Sequence, residues 1–191
     1  MKAFRLTLTG NTPLLMHNSR LSDPLDPASK ALKKISGKRS KTDDDHVALG
    51  EAEFLGSLYL DSDVGPYIPD LNIAATLLEG AKLNKLGMRV KRGMLITTPV
   101  NPIGYEGPRD PVDMWKSGRF THRASVGVGQ SRVMRTRPVF YDWIVQADGL
   151  IDESQLDFDQ LIQIASNAGD FVGIGDWRPR FGRFSTKVEE V

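Results

Sequence analysis

Residues 67–82 read "YIPDLNIAATLLEGAK", and within this stretch the hydrophobic period changes from two to nearly four. Up to Ile68 the chain is extended, Pro69–Asp70 makes a turn, and then Ile73, Leu77, Leu78 and Ala81 recur on one face of a helix. Lys82, Lys85 and Gly87 stand at the C-terminal end, where cations meet the negative end of the helix dipole and glycine ends the helix. A strand running straight into an inward-facing helix is one half of a mixed α+β unit. A second helix lies near the end of the chain. "DESQLDFDQLIQIASNAG" (152–169) opens on Asp and Ser, turns Leu161, Ile164, Ala165 and Ala168 inward, and ends at Gly169.

Strands flank both helices. In "KAFRLTLT" (2–9), Phe4, Leu6 and Leu8 alternate with Arg5, Thr7 and Thr9, the period of a half-buried strand. "GMLITTPV" (93–100) reads as another, and in "RVMRTRPVFYDWIVQADG" (132–149) Val139, Tyr141, Trp143 and Val145 share a face. "RFSTKVEE" (183–190) reads as the last strand. The order strand, helix, strand, strand, helix, strand is the ferredoxin-like βαββαβ order that also builds RRM domains. We therefore expect an α+β fold, with a ferredoxin-like/RRM core in one domain over residues 1–191.

Two insertions interrupt that order. A finger-like one at about 17–60 follows the proline-broken loop "NTPLLMHNSRLSDPLDP". It holds a Lys-rich helix around Ala28–Ile35 and a helix after "TDDD" with Ala48, Ala52, Leu55 and Tyr59 on one face. A thumb-like one at about 101–131 is rich in Gly and Pro and shows no sustained period. It interleaves Tyr105, Trp115 and Phe120 with Arg109, Lys116, Arg119 and Arg123, the mix of stacking rings and phosphate partners found in single-strand grooves.

Composition narrows the class. The chain has 191 residues, 40% of them apolar and 26% charged, which is ordinary for a globular domain. No stretch is long and apolar enough for a membrane span, and the start lacks the layout of a secretory signal, so we expect a cytoplasmic protein without membrane partners. There is no cysteine and there are three histidines, so neither a thiolate site nor a cofactor is expected, and any metal would rest on carboxylates. Net charge is +1, yet residues 82–137 hold 12 Lys/Arg against 3 acids and residues 28–42 hold 6 basic residues and no acid. Such segmental polarity is the footprint of a nucleic-acid binder, whose affinity comes from neutralising phosphates.

The stretch "VGIGDWRPRFGRF" (172–184) sits between the last helix and the last strand. With "TPLL" (12–15) after the first strand and the "YIPDLNIAATLLEGAK" helix, it makes the chain resemble the RAMP superfamily of CRISPR systems. Within that superfamily the chain is most similar to the subunits that polymerise along a guide RNA as the effector backbone. The family's loop runs glycine, apolar residue, glycine, about five residues, then G-x-G. Here the spacer is six residues and Arg183 stands where a final glycine is common. The resemblance implies an RNA-binding backbone subunit that forms homo-oligomers along single-stranded RNA, with other effector subunits as partners.

Gly173, Gly175 and Gly182 let this loop approach a sugar–phosphate backbone closely, Arg178 and Arg180 flank the stiff Pro179 as guanidinium forks, and Trp177 is placed to stack. With Arg183, Lys82, Lys85, Arg119, Arg123, Arg132, Arg135 and Arg137 they form the expected binding set. Some family subunits cleave RNA through an aspartate after the first strand, which would correspond to Asp23 or Asp26; family processing nucleases often use a histidine, and His17 is near. The same "DPLDP" is good turn chemistry, so no catalytic residue is assigned. Three other readings stay open: a phage-type single-stranded DNA-binding protein, a RAMP-type endoribonuclease, and an inhibitor that mimics an effector subunit.

Overall fold

The computed structural model describes residues 1–191. The elements are β1 (Lys2–Gly10), β2 (Leu14–Leu15), a 3-10 turn (Ser19–Ser22), α1 (Pro27–Ser36), α2 (Asp43–Ser57), β3 (Leu60–Asp61), β4 (Gly65–Pro69), α3 (Asp70–Lys82), α4 (Gly87–Gly93), β5 (Met94–Ile96), β6 (Val100–Gly104), α5 (Pro111–Ser117), β7 (Thr121–Val128), β8 (Ser131–Phe140), β9 (Ile144–Ile151), α6 (Phe158–Asn167), a π turn (Ala168–Val172) and β10 (Phe184–Glu190). The fold is mixed α+β with antiparallel sheets. The chain divides into two compact units, one of Met1–Leu14, Leu60–Glu106 and Phe140–Val191, the other of Leu15–Tyr59 and Gly107–Val139.

In the first unit the strands lie in the order β10-β1-β9-β6-β4-β3, with β5 also beside β9. Phe4, Leu6 and Leu8 of β1 are at most 1% exposed, as the alternation requires. They share the core with Ile73, Leu77 and Ala81 of α3 and Leu161, Ile164 and Ala165 of α6, helices that pack on each other. Burying each large apolar side chain stabilises the unit by about 1.5–3 kcal/mol. Gly149 makes room for the Phe4 ring, since a Cβ there would sit 2.3 Å from Phe4 Cζ. The opposite face of the sheet is polar. Arg5, Thr7 and Thr9 lie there beside Gln146 and Asp148 of β9 and Ser185, Lys187 and Glu189 of β10, with no aromatic ring of these three strands on that face. Arg5 donates twice to Asp148, at 2.7 and 3.0 Å, and holds that carboxyl below its ordinary range.

The run 132–149 is two strands rather than one. Extended geometry breaks at residues 141–143, and Tyr141 turns 51% exposed while Trp143 stays 3% exposed. Trp143 is held there because its ring covers Gly10 and its Nε1–H donates to Thr12 O at 2.9 Å.

The second unit joins α1 and α2 to α5 and to a β7–β8 hairpin whose other edge is β2. Thr42 and Asp45 form a reciprocal capping box at the start of α2. The face α2 buries is Gly50, Glu53, Phe54 and Ser57, not the Ala48, Ala52, Leu55 and Tyr59 face. Its centre is an ion cluster: Glu53 accepts from Arg137 Nη1 at 2.8 Å, from Arg135 Nη1 at 3.2 Å and from the Thr136 N–H at 2.8 Å. Residues 101–131 are also more regular than their sequence suggests, because α5, β7 and all but the first residue of β6 lie within them. Asp110 caps α5 and Pro111 occupies its first turn, but seven residues are too few to show a period.

Candidate nucleic-acid interface

The glycine loop is a closed turn with an open tip. Ile174 N–H donates to Gly182 O and Gly182 N–H donates to Pro13 O, both at 2.8 Å, which pins the loop's base to the Thr12–Pro13 turn. Arg183 N–H donates to Thr12 Oγ1, and the N–H groups of Asn11 and Thr12 donate to Arg183 O. The "TPLL" and glycine-loop motifs are therefore one structure. Gly173, Gly175 and Gly182 have φ of +75°, +89° and +71°, in the left-handed region that glycine alone enters without cost. A Cβ on Gly182 would lie 1.7 Å from Ile174 O, so this position also needs the space.

Beyond that base the chain presents its charge. Arg178, Pro179 and Arg180 are exposed, and neither guanidinium is engaged by a carboxylate or carbonyl of the chain. Asp176, the obvious acid to neutralise them, accepts instead from the Trp177 N–H at 3.0 Å. Trp177 is half-buried, with Phe181 packed 6.0 Å from it between ring centroids. Arg183 is different: its Nε–H donates to Pro179 O at 2.9 Å, so this side chain braces the tip. At the end of α3, Lys82 pairs with Glu79, while Lys85 is exposed.

The remaining candidates sit on the second unit. Arg123 and Arg132 lie on the exposed face of the hairpin, with Arg132 Nε–H donating to Ser125 Oγ at 3.1 Å. Arg119 is exposed near the Phe120 ring. Arg135 and Arg137 belong to the Glu53 cluster, and Arg137 is only 8% exposed, so its charge is matched inside the fold. The rings of this region pack inward: Trp115 meets Phe54 at 5.5 Å, Tyr105 meets Phe140 at 4.9 Å in the first unit, and Phe120 is buried. They pin the chain rather than present stacking faces.

The carboxylates of "DPLDP" are engaged in local turns. Asp23 accepts from Leu25 N–H at 2.8 Å and Asp26 caps α1 through Ala28 N–H at 2.7 Å. His17 Nδ1 lies 3.4 Å from Ser57 Oγ. No group of three His, Asp or Glu side chains gathers where a metal ion would be held. No helix is long and apolar enough to cross a membrane.

Sequence reasoning found the loop but missed the groove beside it. That groove is walled by Leu83, Phe171 and Val172 as well as Trp177 and Arg178. The bare Phe171 falls just after an inward-facing helix and carries no motif that marks it. Comparison with known proteins gives no family model and no curated protein that matches the chain.

Proposed function

We propose that this protein binds single-stranded nucleic acid by its phosphate backbone and assembles along the strand, as an RNA-binding backbone subunit of a CRISPR-type effector does. The observation that carries the proposal is the exposed pair Arg178 and Arg180, held on a closed glycine turn with no carboxylate to neutralise them. Phosphate recognition asks for planar donor forks on a backbone compact enough to approach another chain. The sheet order β10-β1-β9-β5, antiparallel throughout and covered by α3 and α6, supports a ferredoxin-like core. RRM domains stack bases on sheet aromatics, and β1, β9 and β10 have none on their polar face. We therefore place the strand at the loop and not on the sheet.

Single-stranded DNA, as in phage replication or recombination, is the second reading. It is favoured by the tip itself, since residues 177–181 carry no hydroxyl or amide side chain to read a 2′-OH. Fluorescence anisotropy with labelled RNA and DNA strands of equal length tests both readings. Affinity falls steeply with added salt for at least one of them, and the stronger binder identifies the sugar. A flat salt response removes the proposal.

Replacing both Arg178 and Arg180 with alanine separates grip from scaffold. Stability stays within about 0.5 kcal/mol of the parent, because both side chains face solvent. Binding weakens for every sequence, and the salt slope becomes shallower by about one unit per arginine. A double variant that unfolds, or binds with the parent's slope, assigns these arginines to the scaffold.

A further inference from the structure

Beside the loop tip opens a groove of about 600 Å³, walled by Glu79, Leu83, Phe171, Asp176, Trp177 and Arg178 among others. Its size falls within the ~300–1,000 Å³ of small-ligand sites. Its chemistry is uneven. Phe171 is 63% and Leu83 56% exposed, large apolar groups left uncovered at the groove's wall. Trp177 stands half-buried and steadied by Phe181, and an indole or phenyl face in such a position takes a flat partner. Two carboxylates complete the wall: Glu79, paired with Lys82, and Asp176, which accepts from the Trp177 N–H.

We propose that this groove takes one base of the bound strand, that Phe171 and Trp177 stack on it, that Asp176 pairs with its edge, and that the base is guanine. The inference rests on the backbone grip proposed above. Arg178 is common to both sites, so a nucleotide whose phosphate meets Arg178 has its base within reach of the groove. Stacking alone would accept any base. The carboxylate makes the choice. An ionised Asp only accepts hydrogen bonds. Guanine alone among the standard bases sets two N–H donors side by side on its Watson–Crick edge, N1–H and the N2 amino group. Adenine and cytosine set a ring-nitrogen lone pair beside their amino group, and uracil or thymine flanks its single N–H with two carbonyls. Each of those lone pairs would face the Asp176 carboxylate.

The test compares a labelled uridine tract with the same tract carrying one central guanosine or one central adenosine, by anisotropy. The guanosine strand binds about tenfold tighter than the other two, the discrimination expected of one good bidentate pair. Phe171→Ala lowers affinity for the guanosine strand about tenfold and leaves the salt slope unchanged. Asp176→Asn abolishes the guanosine preference and leaves the uridine tract bound as before. Circular dichroism checks that each variant is folded, and if Asp176→Asn misfolds the exposed Phe171 decides the matter. Equal affinity for the three strands, or a guanosine preference that survives both substitutions, overturns the inference. If the uridine tract binds with a steep salt response and no base is preferred, the groove proposal falls and the backbone grip stands. If no strand binds at all, both fall.

Discussion

Glu53→Ala is expected to destabilise the second unit by about 3–5 kcal/mol, the usual cost of removing one partner from a buried ion pair. The Glu53 side chain is 6% exposed and that of Arg137 is 10% exposed, so the substitution strands a guanidinium away from water. It also leaves the Thr136 N–H without its acceptor and frees Arg135, whose side chain is 38% exposed. Because α2 reaches the hairpin through this carboxylate, the root of β8 should loosen as the helix does. Urea unfolding followed by tryptophan fluorescence measures the loss, with Trp115 reporting on this unit through its contact with Phe54. Glu53→Leu combined with Arg137→Met should recover part of the stability, since an apolar pair of similar volume often replaces a buried ion pair without penalty, while the Thr136 N–H stays without its acceptor. A Glu53→Ala protein that unfolds at the parent's urea concentration would mean that the cluster holds nothing together.

The second large effect is expected at Gly182→Ala. With φ at +71°, an alanine pays about 1–2 kcal/mol for the left-handed region alone. Its Cβ would also lie 1.7 Å from Ile174 O. The backbone relieves that collision only by giving up the Ile174–Gly182 or Gly182–Pro13 hydrogen bond. A total loss of about 3 kcal/mol or more is expected, placing the variant among the severe single substitutions. Strand binding should fall with it, because Arg178 and Arg180 lose the base that aims them. Gly127→Ala is the control, since nothing lies within 4 Å of a Cβ there. Thermal melts of the two variants give the comparison. A Gly182→Ala protein that melts with the parent would show that the turn has room for a side chain.

What was legible in the sequence was whatever apolar periodicity controls. Leu161, Ile164, Ala165 and Ala168 are all fully buried, as their spacing requires, and β1 alternates as its letters do. The helix ends were less legible: α6 starts at an Asp157 cap, beyond the Asp152 and Ser154 that open its stretch, and Gly87 opens α4 rather than ending α3. The other misreadings share a cause. The inner face of α2 is built on a glutamate, and its two arginine partners lie more than 80 residues away, so no local pattern marks Glu53 as interior. At Tyr141–Trp143 the alternation continues through a break in the backbone, because Trp143 is fixed by Thr12 rather than by its strand neighbours. Gly169 reads as a helix stop, yet the helix passes into a π turn there. The glycine is needed because a Cβ would meet Phe184 O at 2.0 Å. The glycine loop was legible as a motif, whereas the groove depends on Phe171, Leu83 and Trp177 meeting in three dimensions.

The hydrogen bond from Arg183 N–H to Thr12 Oγ1 spans 171 residues of sequence, and β1 has only β9 and β10 as sheet neighbours. During synthesis from the N-terminus, β1 therefore waits as an unpaired strand until residues 144–151 have been made, and the Thr12–Pro13 turn waits longer, until residues 174–183 arrive. Contacts of such separation close late and set the pace of folding. The positively charged tip thus takes shape only in a chain whose sheet is nearly complete. A half-made chain carries no such tip, because Arg178 and Arg180 follow every strand of the sheet except β10.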